Sequence, residues 1–322
     1  MSTMRWKRRR SCNVLFIRTD GLPPQPHRAA EKPTGVRSGP RAEVRGTDAT
    51  GVAYNSGGRL RIYKRPRPAH TMRFCIPRDA AVIMGHTRMT TQGKASRNRN
   101  NHPFLGNTSG EMFALAHNGI LYNDQLLRRT NRLPKTKIET DSYIAVQLIE
   151  QKKALDFSSL KYMAEQVEGT FTFTVLDQQE NLYFVKGDNP LCLYHYPRYG
   201  VYLYASTEAI LTRALNRLRL PLGKPERIEL GCGDILRITA SGQQATASFN
   251  TSHLAQHWGY WPMWTSEVKR TGKARTAEQE YLDELKSVAC CYGFSPESVD
   301  RLLESGFSTD DIEEFLYEGA MY

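Results

Sequence analysis

Residues 170–177 alternate threonine with Phe171, Phe173 and Val175, the period of two that a strand with one buried face requires. Apolar runs of strand length recur at 182–185, 201–205 and 234–238. Earlier in the chain, 45–54 reads as a turn leading into a strand, and Leu60-Arg61-Ile62-Tyr63 alternates as its hairpin partner would. Helical patterns stand apart from these. Thr140 is a fitting N-cap, with Asp141 in the first turn, for a helix through Gln151 that carries Ile144, Ala145, Leu148 and Ile149 on one face. A second helix fits 207–218. Strands in hairpin order with helices grouped beside them predict an α+β fold and argue against a doubly wound sheet.

The polar residues that could do chemistry fall at predicted strand ends. Residues 80–84 read as a buried strand that breaks into a loop, Gly85-His86-Thr87-Arg88-Met89-Thr90-Thr91-Gln92-Gly93. An arginine at the end of a buried strand, with hydroxyls beside it, suits a small carboxylate, because guanidinium offers two parallel donors. Residues 97–104 read as a polar loop. Met112-Phe113-Ala114-Leu115-Ala116 reads as a strand ending at His117-Asn118-Gly119.

Composition removes several classes. No apolar run approaches the ~18–20 residues needed to span a bilayer. Val14-Leu15-Phe16-Ile17 is far shorter than the roughly 7–15 residues of a signal-peptide core, so a soluble cytoplasmic protein is expected. The six cysteines at 12, 75, 192, 232, 290 and 291 show no metal spacing and predict reduced thiols, with 75, 192 and 232 as small buried hydrophobes. The net charge is +11, and residues 1–46 supply +8 of it, eleven Lys and Arg against three acids. The remaining +3 is spread over 276 residues, which makes a nucleic-acid partner unlikely on charge grounds.

The ends read differently from the middle. Residues 1–44 are a basic, Pro/Gly-rich segment with one strand-like run at 12–17, and 21–40 reads as loop. After 245 come an aromatic cluster at 257–264 and a basic linker at 269–275. Three short amphipathic helices are then predicted in 276–322. Thr276 with Gln279 opens the first. Ser295-Pro296 opens the second, which Gly306 closes, and Ser308 with Asp311 opens the third.

In order and spelling, Arg45-Gly46-Thr47-Asp48, Gly85-His86-Thr87-Arg88, Asn101-His102-Pro103, His117-Asn118-Gly119, Glu139-Thr140-Asp141-Ser142 and Ala205-Ser206-Thr207-Glu208 resemble the class II glutamine amidotransferases, N-terminal-nucleophile (Ntn) enzymes that release ammonia from glutamine. The resemblance covers about 45–245. It implies a four-layer αββα Ntn-hydrolase sandwich, to which the composition adds a small C-terminal helical bundle. It also implies site roles: Arg88 and Thr91 on the α-carboxylate of glutamine, Asp141 on its α-ammonium, Asn118 and Gly119 as the oxyanion hole, Arg45 and Asp48 as supports. His86, His102 and His117 would be structural. The nucleophile would be a cysteine at the mature N-terminus with its own α-amine as base, which here points to Cys12 and to residues 1–11 as a propeptide. No cofactor and no metal are implied.

The chain departs from the family pattern at Asn13, where glycine is usual, and at Met89 and Gln92, where many relatives have Trp and His. The expected reaction is hydrolysis of the glutamine amide to glutamate and ammonia. With 77 residues after the core, the ammonia acceptor is expected to be a separate enzyme. The C-terminal helices suit docking or homo-oligomer contact. An inactive glutamine-binding relative, or an Ntn hydrolase of a different amide, are the alternative readings.

Overall fold

The computed structural model describes residues 46–77, 79–218, 222–255, 295–309 and 311–312, two short strands near the N-terminus, and single helical positions at 279, 282, 285, 286 and 289. Cys12, Arg45, the 21–40 segment, the aromatic cluster and the linker lie outside the described residues.

Two antiparallel layers face each other. The larger has six strands, in the order β15-β14-β10-β9-β8-β7. These are β7 (Phe104–Thr108), β8 (Glu111–Leu121), β9 (Gly169–Asp177), β10 (Leu182–Lys186), β14 (Asp234–Ile238) and β15 (Gln244–Ser248). The second layer is made of two smaller sheets. One has the order β13-β11-β12-β2, from β2 (Leu15–Arg18), β11 (Cys192–Tyr196), β12 (Val201–Ala205) and β13 (Glu226–Ile228). The other has the order β4-β3-β6, from β3 (Ala49–Ser56), β4 (Arg59–Arg65) and β6 (Ile83–Arg88), with β6 packed beside β2. A two-residue pairing of β1 (Met4–Arg5) with β5 (Cys75–Ile76) stands apart.

The period of two explains how one strand serves two cores. Phe171, Phe173 and Val175 of β9, with Phe113 and Leu115 of β8, pack under α2 (Tyr143–Gln151) and α3 (Phe157–Gln166). The alternate residues Ala114, Ala116 and Leu176 point the other way, onto Ala53, Met84, Leu193 and Tyr204 of the facing sheets. Burying each of these large side chains is worth ~1.5–3 kcal/mol. On the far side, α4 (Glu208–Leu218) lays Ala209, Ile210 and Leu211 on Cys192, Tyr194, Leu203 and Ala205. The layers run helix, sheet, sheet, helix, the expected αββα order. Asp156 and Ser159 close a reciprocal capping box at the start of α3, with Asp156 Oδ1 accepting from Ser159 N at 2.8 Å.

Several local expectations need correction. Residues 85–88 are not loop: β6 continues to Arg88, because its backbone pairs with β3 from Ile83 to Arg88. Likewise β8 does not stop at Ala116 but runs to Leu121, paired with β9 throughout. Strand β9 is buried on both faces and not half-buried, since a sheet covers its threonine side. The helix predicted from Thr140 starts at Tyr143, with Ser142 at the cap. Thr140 is buried instead. Cys192 is buried as expected, but Cys75 and Cys232 are exposed.

In the tail, Leu285, Ala289, Val299 and Ile312 form their own small core, and the helix Pro296–Glu304 ends at Gly306 with φ +92°. Ser308 and Asp311 bond each other as a cap does, Asp311 N donating to Ser308 Oγ at 3.2 Å. This tail carries twelve acids against two bases, so residues 47–275 hold thirty-one bases against eighteen acids. Basic charge is therefore not confined to the leader. No helix among the described residues is long and apolar enough to cross a membrane.

Candidate active site

Arg88 closes β6 and is only 4 % exposed. Gly46 makes that burial feasible: its φ is +128°, and a Cβ there would lie 2.1 Å from the Arg88 carbonyl carbon. Asp48, exposed, donates its N–H to Arg88 O at 3.1 Å and accepts from Thr90 N through Oδ2 at 2.7 Å. That carboxylate fixes the turn after the strand. The Arg88 guanidinium donates to Asn101 Oδ1 at 2.7 Å, to Gln92 O at 2.5 Å and to Gly93 O at 3.1 Å. Among the described residues its partners are an amide and two carbonyls, with no carboxylate bonded to the buried positive charge. Burial pulls its pKa down, and the charges of Asp48 and Asp141 oppose that shift. Thr91 stands exposed beyond the turn.

Across the sandwich, β8 presents His117, Asn118 and Gly119. Gly119 has φ +140°, and a Cβ there would meet Thr170 O at 1.9 Å. Only glycine permits this approach of β8 to β9. Asn118 is half-buried, and its carbonyl accepts from Asn189 Nδ2 at 2.7 Å. Thr172 Oγ1 in turn donates to Asn189 O at 2.7 Å. Asp141, 2 % exposed, accepts from Leu121 N through Oδ2 at 2.7 Å. The residue after it, Ser142, lies 2.8 Å from His117 Nδ1. His117 Nε2 faces Thr170 O at 3.2 Å, and a carbonyl only accepts, so Nε2 carries the proton. The one Ser142 hydroxyl proton is shared between His117 Nδ1 and Asp141 Oδ1, the latter 3.3 Å away.

Three histidines join these pieces. His86 of β6 donates from Nε2 to His117 O at 2.9 Å, tying the two layers together. The His86 and His102 rings lie 4.2 Å apart, and His117 stacks on Phe173 at 4.6 Å. Burial is the first cause of depressed pKa in all three: His86 falls to about 3, His102 falls well below the usual range, and His117 falls as well. They are neutral at physiological pH, with His102 and His117 buried and His86 half-buried, which suits a structural role. Among the described residues, no group of three or more His, Cys, Asp or Glu is arranged to hold a metal ion. A cavity of about 30 Å³ lies between the layers, lined by His86, Asn118, Thr172, Tyr204 and Ser206 among others. It has room for a water or two but not for an amino acid.

The structure thus gathers Arg88, Asn118, Gly119 and Asp141 around one buried histidine cluster, with Asp48 behind Arg88 and Thr91 at the surface. Cys12 and Arg45 lie outside the described residues. Sequence reasoning gave no role to Asn101, which lies in the predicted polar loop and in one of the motifs yet is fully buried, and missed Lys64, which bonds Asn101 O. Lys64 sits in the inward row of β4 with Leu60 and Ile62. That register was the available signal.

Two facing antiparallel sheets clad in helices, with polar groups gathered at their ends, define an Ntn-hydrolase sandwich. Residues 86–213 match the family described as glutamine amidotransferase domain. Glutamine–fructose-6-phosphate aminotransferase (isomerizing) of Bacillus thuringiensis subsp. konkukian is 28 % identical over 159 residues, covering 47 % of this chain and 26 % of the relative. The enzyme of the same name from Symbiobacterium thermophilum is 33 % identical over 161 residues, covering 48 % and 26 %. The matches span about a quarter of the length of these relatives. Among solved structures, glutamine phosphoribosylpyrophosphate amidotransferase from B. subtilis, complexed with ADP and GMP, aligns with a TM-score of 0.51 at 22 % identity, over 65 % of this chain and 44 % of that one. Residues 86–213 are thus similar to the glutamine amidotransferase domain, and the likeness to the solved structure extends to the fold.

Proposed function

We propose that this domain hydrolyses the side-chain amide of glutamine to glutamate and ammonia, with Cys12 as an N-terminal nucleophile freed by removal of residues 1–11. The observation that carries the reading is a buried cation, Arg88, and a buried carboxylate, Asp141, close enough for their charges to act on one another. A free amino acid offers the complement of both charges, and its side chain is left to reach the asparagine. Arg88 offers the α-carboxylate its charge and the N–H groups not already given to Asn101, Gln92 and Gly93, with Thr91 at the rim as a further contact. Asp141, already fixed by Leu121 N, accepts the α-ammonium.

In the reaction, the Cys12 α-amine takes the thiol proton and the thiolate attacks the amide carbon. The Asn118 side-chain amide and the Gly119 N–H hold the oxyanion, each donor being worth ~10²–10³ in rate. The carbon–nitrogen bond then breaks, and ammonia leaves with the proton returned by the α-amine. Water hydrolyses the glutamyl thioester and restores the thiol. Strand register supports the assignment of Cys12. Leu15 pairs with Tyr204, which lines the cavity beside Asn118. Cys12 is three residues further on, so its Cα lies within ~11 Å of Leu15 whatever path the chain takes.

The same proposal takes residues 45–245 as the catalytic core, 246–275 as the connection and 276–322 as a docking or self-association module. It leaves the ammonia to a separate accepting enzyme. Ammonia release from glutamine by the purified protein, with the N-terminus identified by mass spectrometry, tests the reading. Active protein that retains Met1 or Ser2 would overturn the propeptide.

A further inference from the structure

Lys64 stands where the alternation of β4 calls for an apolar residue, since the two preceding inward positions are Leu60 and Ile62. Lysine is rarely buried without a partner, and here the partners are specific. Nζ donates to Asn101 O at 2.5 Å and to Pro103 O at 2.9 Å, and lies 5.1 Å from the Phe104 ring centroid. The loop reaches back as well, Asn98 Nδ2 donating to Lys64 O at 3.0 Å. The neighbouring β3 leaves this loop no slack: a Cβ on Gly51 would lie 2.2 Å from His102 O and 2.8 Å from Lys64 Cβ.

Asn101 is therefore held by two cations. Lys64 takes its backbone carbonyl, and Arg88 takes its side-chain Oδ1 at 2.7 Å. The position of the Arg88 guanidinium follows that of Asn101, and Asn101 follows Lys64. We propose that Lys64 is a positioning residue for α-carboxylate recognition, holding the Asn101 loop that aims Arg88 and adding a second positive charge behind it. The charge matters because the two cations oppose each other: burial and then Arg88 lower the Lys64 pKa to about 8. An arriving carboxylate relieves that opposition, so the ligand gains affinity from a residue it does not touch. This rests on the glutamine reading of the site.

The test uses the full chain carrying Cys12→Ala, which separates binding from turnover, and measures Kd by calorimetry for glutamine and for its α-carboxamide, which lacks the carboxylate. Lys64→Met should weaken glutamine about tenfold or more, the loss of a charge-assisted bond, and leave the carboxamide within twofold. Lys64→Arg should restore most of the glutamine affinity, and Lys64→Gln, which also removes the charge, serves in place of Lys64→Met if that variant fails to fold. Equal weakening of both ligands by Lys64→Met would reduce Lys64 to a scaffold role, and unchanged affinity would remove it; either overturns the proposal. Arg88→Met is the control. If it leaves glutamine binding intact, the glutamine reading itself fails, independently of Lys64.

Discussion

The backbone N–H of Leu121 donates to Asp141 Oδ2 at 2.7 Å, so the strand that carries Asn118 and Gly119 directly orients the carboxylate assigned to the substrate ammonium. Four residues toward the amino end of β8 from Leu121, His117 bonds Ser142, the neighbour of Asp141. The Asn118–Gly119 segment and Asp141 are thereby fixed to one another by two bonds.

Asp141→Asn keeps an acceptor for Leu121 N and removes the charge. Glutamine binding should weaken by roughly ten- to a hundredfold, the usual worth of a hydrogen bond to a charged group. The melting temperature should move little. Calorimetry and thermal unfolding of the same sample check both parts.

Gly119→Ala forces a Cβ to within 1.9 Å of Thr170 O at a backbone angle that L residues rarely adopt. The strain should cost at least ~1–3 kcal/mol of stability, seen as a lower denaturant midpoint. Activity should fall further than stability explains, because β8 must move away from β9. Asn118→Ala should instead retain the midpoint and lose ~10²–10³ in kcat.

The buried histidines set an acid limit. Their native pKa values lie below the unfolded value, His86 at about 3 against 6.5, so the unfolded chain binds more protons as pH falls. Stability is therefore complete above about pH 6.5 and declines from there towards pH 3, by up to ~1.4 kcal/mol per pH unit for each histidine. Urea unfolding at pH 7, 6 and 5 should show this decline. Replacing His86 by Gln should flatten it, and an unchanged slope would remove His86 from the account.

The parts of the fold legible in the sequence are those written in short-range pattern. The alternation of β9 and the apolar face of α2 reflect which side of an element is covered, and side-chain types record that directly. Strand ends were not legible. Residues 85–88 and 117–121 look like loops because they are polar, yet each is paired along its length, since backbone hydrogen bonds need no apolar side chain. Helix onset at Ser142 was missed for a related reason: Thr140 and Asp141 carry the side chains of a cap but are engaged in packing and with Leu121. In the site, Arg88, Asn118, Gly119 and Asp141 were found through the order of short motifs. Asn101 belonged to one of those motifs but was given no role, and Lys64 was not found, because its contact with Asn101 spans 37 residues of the chain, which local spelling does not record.

The central claim is that Cys12, exposed at a new N-terminus, attacks a glutamine held by Arg88 and Asp141. Mass spectrometry of the purified protein after a brief glutamine pulse tests it most directly. The account predicts a chain beginning at Cys12, carrying a glutamyl adduct on that residue that is absent in Cys12→Ala and decays as ammonia is released. Ammonia release at the same rate from Cys12→Ala, or from protein with residues 1–11 still attached, would contradict it.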